Sequence, residues 1–240
     1  MPGSSSDRTS VAGADRVRFR PSSDQSLMIY FDQAITLETH HRVLKLLRLL
    51  EAEPITGVRN LHPGYCSLLV KFDGLKLRHD ELEAILRTYL ERLETVPLSE
   101  SRQIEIPVCY GGDYGPDLNE VAETHGLTPS QTIELHASVP YVVYFLGFVP
   151  GFAYLGELPE SLATPRLAIP RRNVPPGSVG IAGSQTGVYP FATPGGWRLL
   201  GRTPIAMFRP DRAGMSFLSI GDRVRFIPVS SKQFVAMESA

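Results

Sequence analysis

The chain has 240 residues, a formal net charge of −1, 42% hydrophobic and 20% charged residues, the composition of a globular protein long enough for one large domain or two ordinary ones. No apolar run approaches the ~18 residues that span a bilayer and no basic-then-apolar leader opens the chain, so a membrane partner is excluded and a cytoplasmic location is expected. Cys66 and Cys109 match no metal or redox spacing and are expected as reduced, part-buried thiols.

The charge is unevenly placed. Residues 1–136 carry 14 Lys and Arg against 20 Asp and Glu, whereas residues 137–240 carry 10 against 5. Nine of those ten C-terminal bases are arginines set singly, without the interleaved stacking aromatics of a nucleic-acid surface. Arginine's planar fork suits a bidentate grip on carboxylate or phosphate, so a small anionic ligand or an acidic partner is expected and DNA is not.

In chain order, residues 1–15 are small and polar and read as a disordered tail. SLMIYF (Ser26–Phe31) reads as a strand, and Thr36–Ala52 as a leucine-rich helix capped by Thr36. ITGVRNL and CSLLVKF form a strand pair. In ELEAILRTYLERL the residues Leu82, Ile85, Leu86, Tyr89, Leu90 and Leu93 repeat at helical spacing, an amphipathic helix. RQIEIPV (Arg102–Val108) supplies another strand, so residues 16–110 read as βαββαβ, the ferredoxin-like order.

Residues 111–138 follow as a connector with two short helices, one starting at Pro116 with Asp117 in its opening turn, the other capped by Thr128 ahead of Pro129. YVVYFLGF is a fully apolar strand. Residues 147–228 then hold 12 glycines and 11 prolines, between short apolar runs (SVGIAG, WRLLG, PIAMF, VRFIPV). Many short strands punctuated this way predict a β-barrel over 139–230, with 231–240 as a C-terminal tail. The fold class is therefore α+β.

Elimination narrows the chemistry. All six histidines lie at or before His136, which leaves no Ser-His-Asp triad inside the barrel segment. No lysine falls between Lys76 and Lys232, so the Gly-rich turns lack the lysine of a phosphate-binding loop and Schiff-base chemistry is excluded there. No metal-ligand spacing stands out, and no metal is expected. What remains is a pocket with apolar walls and a few polar groups. Gln185, Thr186, Tyr189, Arg198 and Arg202 are candidates for it, with Arg166, Arg171, Arg172, Phe152 and Tyr154 upstream and Trp197 as a wall.

GFVPGFAYLGELP (Gly147–Pro159), PRLAIPRRNVPPGSVGIAGSQTGVYP (Pro165–Pro190) and TPGGWRLLGRTP (Thr193–Pro204), followed by GDRVRF, resemble the signature blocks of the KipI family, also called allophanate hydrolase subunit 1. The resemblance extends upstream through GGDYGPDLNEVAETHGLTPSQTIELHAS and covers residues 28–229. One departure is Arg209 in MFRP, where the family pattern has an acidic residue. The resemblance implies a ferredoxin-like N-terminal domain followed by a cyclophilin-like β-barrel.

It also implies three competing functions. The commonest is the B subunit of an ATP-dependent 5-oxoprolinase, working with the A and C subunits (LamB/YcsF-like and biotin-carboxyltransferase-like), with ATP bound mainly by a partner and no cofactor by this chain alone. In that reading Arg202 or Arg171 meets the substrate carboxylate, Gln185 and Thr186 hold developing charge, and His136 transfers a proton. Catalytic candidates are then His136, Gln185 and Arg202, and substrate-binding candidates Phe152, Tyr154, Arg166, Arg171, Thr186, Tyr189 and Trp197. The second function is a non-enzymatic inhibitor docking on a sensor histidine kinase. The third is part of a biotin-dependent urea carboxylase or allophanate hydrolase system, although the chain has no biotin-bearing lysine motif.

Overall fold

The computed structural model describes residues 17–98 and 100–238, and the expected N-terminal tail, 1–15, lies outside them. Mixed helix and sheet divide into two compact units, residues 1–99 and 100–240. Among the described residues, no helix is long and apolar enough to cross a membrane.

The first unit is a four-stranded antiparallel sheet backed by two helices. Its strands β1 (Arg18–Ser23), β2 (Ser26–Tyr30), β3 (Val58–Pro63) and β4 (Ser67–Phe72) run in the order β1-β2-β4-β3. Alternation sends Leu27, Ile29, Leu68, Val70 and Phe72 to a buried face. Helix α1 (Leu37–Ala52) starts where the Thr36 hydroxyl accepts the Thr39 N–H, as expected. Helix α2 (His79–Glu91) starts where the Glu81 carboxylate accepts the Arg78 N–H at 2.8 Å, and it buries Leu82 and Leu86.

Two features of this unit depart from the sequence reading. The strand expected at Arg102–Val108 does form, as β5 (Gln103–Tyr110), but it belongs to the barrel, where β13 (Arg223–Pro228) runs parallel to it. The outer place beside β2 is filled instead by β1, whose residues pair antiparallel with β2 from Arg18↔Tyr30 onward. Pro21 sits in β1 without penalty because an edge strand has a row of N–H groups that the sheet does not use.

The second unit is a closed seven-stranded barrel. It uses β5, β6 (Tyr141–Leu146), β7 (Ala153–Gly156), β9 (Ser178–Ala182), β10 (Gln185–Val188), β12 (Arg198–Arg202) and β13, in the order β10-β7-β6-β13-β5-β12-β9. Strands β8 (Arg171–Val174) and β11 (Thr193–Gly195) form a separate two-stranded ribbon. Ile106, Val108, Val143, Leu155, Val179, Ile181, Leu200 and Phe226 fill the interior. The connector helices join this core, α3 (Leu118–Thr124) through Leu118 and Val121 and α4 (Pro129–Ser138) through Ile133 and Leu135. Thr128 caps α4 as expected, and Gln131 returns the bond by accepting the Thr128 N–H.

PIAMF, expected as a strand, is irregular apart from one bridge between Phe208 and Ser216, although Met207 is buried. Residues 231–238, expected as a tail, form helix α5 (Ser231–Glu238), whose Phe234 is buried beside the Tyr114 ring at 4.6 Å. A buried Asp222 receives the Arg102 guanidinium and the Ser219 N–H, tying the start of β5 to the turn before β13.

Candidate functional site

A second, smaller apolar cluster of Phe152, Val174, Ala182, Tyr189, Trp197 and Leu199 stands apart from the barrel core. Beside it opens a cavity of about 240 Å³, lined by Phe148, Phe152, Tyr154, Arg166, Pro170, Tyr189, Pro194, Gly195, Gly196 and Trp197. Sites for drug-sized ligands run to roughly 300–1,000 Å³, so this one suits a small molecule.

Phe152 is the hub of the walls. Its ring meets Tyr154 at 4.9 Å, Tyr189 at 5.2 Å, Trp197 at 5.4 Å and Phe148 at 5.7 Å, all steeply inclined. Such edge-to-face contacts match the positive rim of one ring to the negative face of the next, and they hold the rings apart at angles that leave a slot. Two glycines make the fit possible. A Cβ on Gly187 would lie 2.9 Å from the Ala153 carbonyl oxygen and 3.1 Å from both the Phe152 and Trp197 rings, and one on Gly195 would overlap the Tyr189 hydroxyl. The density of glycine in this stretch therefore reflects backbone packed directly against rings.

The polar groups are few and distinct. Burial pushes the Tyr154 and Tyr189 hydroxyls above the ordinary tyrosine range, and the Arg166 charge opposes that rise at both. Both remain protonated donors at neutral pH. Arg166 is exposed at the rim and has no ion-pair partner among the described residues. The other candidate arginines are engaged: Arg171 with Asp117 at 2.6 Å, Arg198 with Glu120 at 2.6 Å, and Arg202 with Glu238 at 3.6 Å. Arg209, the departure from the family pattern, is paired with Asp211 at 2.8 Å. Arg172 is exposed in β8 and does not line the cavity.

Five of the expected substrate-binding residues, Phe152, Tyr154, Arg166, Tyr189 and Trp197, thus share one cavity. Arg171 lies outside its lining, and Thr186 is fully buried in the barrel wall. None of the expected catalytic trio lines it either. Gln185 begins β10 at the hairpin with β9. Arg202 donates to the Pro176 carbonyl at 2.8 Å and lies 5.8 Å from the Phe234 ring, a clamp on α5.

His136 is fully buried, with both ring nitrogens engaged. Tyr110 lies 2.7 Å from Nδ1 and Thr186 2.9 Å from Nε2, while the Thr186 hydroxyl donates to the Gly180 carbonyl at 3.0 Å. With Thr186 donating onward, its oxygen accepts Nε2–H, and Nδ1 accepts from Tyr110, which assigns the tautomer. Phe226 stacks on the imidazole at 4.8 Å. Burial lowers the imidazole pKa to about 3, so this histidine is a neutral strut between α4 and the barrel.

Phe148, Pro170, Pro194, Gly195 and Gly196 line the cavity without having been singled out from the sequence. A legible signal existed for Phe148. It sits between Gly147 and Gly151 in GFVPG, and its φ of 66° places a bulky ring in the left-handed region. Among the described residues, no cluster of three or more His, Cys, Asp or Glu side chains could hold a metal.

The family described as carboxyltransferase domain, subdomain C and D, matches residues 17–218, a span that contains every residue lining the cavity. The chain belongs to that family. The chain is similar to the B subunit of 5-oxoprolinase from Escherichia coli O157:H7, 46% identical over 214 residues, 89% of this chain and 96% of that one. The 5-oxoprolinase B subunit of Bacillus subtilis (strain 168) is 40% identical over 231 residues, 92% and 96% of the two chains. The crystal structure of TTHA0988 superposes with a TM-score of 0.75 at 36% identity over 86% of this chain, which spans 40% of that longer polypeptide. The carboxyltransferase C and D fold thus occurs both as a chain of this size and as part of a longer one.

Proposed function

We infer that this chain is the B subunit of a 5-oxoprolinase, and that its aromatic cavity receives the substrate, a small cyclic amide bearing one carboxylate. Kinship along nearly the whole length of two such subunits supports the role. The observation that carries the site is the pairing of Arg166, a guanidinium with no ion-pair partner among the described residues, with a slot of edge-to-face rings. Arg166 binds the carboxylate by charge-assisted hydrogen bonds. The flat lactam ring lies against Phe152 and Trp197, and the Tyr154 and Tyr189 hydroxyls donate to its polar edge.

A lactam carbonyl is a poor electrophile. ATP, held by a companion protein, supplies the activation of the carbonyl oxygen that lets water open the ring to glutamate. This chain binds and orients the ring, donates hydrogen bonds where negative charge grows, and keeps bulk water off the apolar face. Arg166 takes the place that sequence alone offered to Arg171 or Arg202, and His136 serves as framework. The companions are the A and C subunits, LamB/YcsF-like and biotin-carboxyltransferase-like. In the same reading the first unit is ferredoxin-like, with Arg18–Ser23 in the place of the last strand, and the barrel is cyclophilin-like.

The test is oxoproline-dependent ATP hydrolysis by reconstituted subunits with and without this chain. Omission should abolish turnover, and Arg166→Met should raise KM at least about tenfold, the loss of a charged hydrogen bond of roughly 1.5–3 kcal/mol. A mixture that runs equally fast without the chain refutes the subunit role, and an unchanged KM in R166M refutes the site.

A further inference from the structure

Asp117 is the residue type that caps helices, and it stands at the N-cap of α3 without using its side chain there. The carboxylate is buried and turned toward the other side. Oδ2 accepts the Leu199 N–H at 2.7 Å, and Oδ1 accepts Arg171 Nη2 at 2.6 Å. The Asp117 N–H in turn donates to the Leu199 carbonyl at 3.1 Å, so this one residue is stitched to β12 by both backbone and side chain.

Arg171 passes the connection on. Its Nη1 donates to the Trp197 carbonyl at 3.3 Å, and in the ribbon its backbone is paired with Gly195. The Trp197 carbonyl is thus held by a guanidinium that the buried Asp117 carboxylate itself holds. Trp197, Tyr189 and Gly195 all line the cavity, whereas Asp117 and Arg171 do not.

We propose that Asp117 is a positioning residue for the cavity: acting through Arg171, it fixes the Trp197 peptide and so sets the wall against which a ligand ring stacks. The same ion pair occupies Arg171 and leaves Arg166 as the cation presented to the ligand. The proposal rests on the cavity being the ligand site and is independent of which cyclic carboxylate fills it.

Trp197 is the chain's only tryptophan and is buried, so its fluorescence reports the wall directly. Asp117→Asn keeps a hydrogen bond to Leu199 but loses the ion pair. Arg171→Lys keeps the charge on Asp117 but gives up the planar fork that reaches Trp197 as well. In the full ligand-free chain, both should shift Trp197 emission to the red and increase acrylamide quenching, with far-UV circular dichroism unchanged. In the assembled complex both should raise the KM for 5-oxoproline more than they lower kcat. The double variant D117N/R171K should add little to either single change, as expected of residues acting in one chain of contacts.

A folded R171K with wild-type emission and quenching overturns the proposal, as does a D117N that melts earlier with Trp197 unmoved, since that marks a helix anchor only. If D117N does not fold, R171K and the neutral pair D117N/R171M, which leaves no charge buried alone, decide the question. Shifted emission in variants of a chain whose wild-type complex shows no oxoproline-dependent turnover supports the positioning role and counts against the oxoprolinase reading.

Discussion

A single arginine's usefulness to a ligand depends on what already holds it. Arg166, Arg171 and Arg202 are equivalent in sequence, yet Asp117 engages the second and the carbonyl of Pro176 together with Glu238 engages the third. Asp117 is 54 positions from Arg171, and no local pattern announces that pairing. The aromatic residues were easier to read, because Phe152, Tyr154, Tyr189 and Trp197 fall among glycines and prolines that only a rigid, closely packed set of turns would need. His136 illustrates the opposite difficulty. At the end of a helix it reads as a proton carrier, and only the fold reveals Tyr110, Thr186 and Phe226 around it. Its imidazole stays neutral in the fold down to about pH 3 but protonates near 6.5 once the chain unfolds. Between those values the unfolded state alone takes up the proton. The stability it contributes is therefore complete above pH 6.5 and is lost as the pH falls toward 3, at ~1.4 kcal/mol per pH unit. His136→Gln should be less stable at pH 7 in denaturant titrations, with a pH slope shallower by about one proton over that window. Equal slopes would show that another group titrates.

Arg202 stands between the Pro176 carbonyl, the Phe234 ring and Glu238, which makes it a fastener for a helix of eight residues. Arg202→Met should accelerate amide exchange across residues 231–238 and leave ligand binding by the cavity unchanged. Lost turnover with unaltered exchange would return Arg202 to the catalytic machinery. The existence of most elements was legible, because helical spacing and capping residues act locally: Thr36, Thr128 and the leucines of α2 all behave as their positions predict. Assignment of β5 to a sheet was not legible, since its parallel neighbour begins at Arg223, opposite Gln103. Strand β1 went unread because the alternating arginines and Pro21 of RFRPSS suit an edge more than an apolar strand.

The two units have separate cores, one under the four-stranded sheet and one inside the barrel. A fragment comprising residues 100–240 contains all seven barrel strands and every residue of the cavity lining. It should unfold cooperatively on heating and show the Trp197 emission of the full chain; a fragment without a cooperative transition would show that the barrel depends on the first unit. Closure of that barrel has a consequence for biosynthesis. The first strand to leave the ribosome, β5, must wait for the last, β13, about 120 residues later, a delay of roughly 6–24 s at 5–20 residues per second. Until then β5 presents a bare edge of Ile104, Ile106 and Val108 to any extended neighbour. Nascent chains stalled before residue 223 should therefore be the species that chaperones retain and that tangle with one another when translation is crowded.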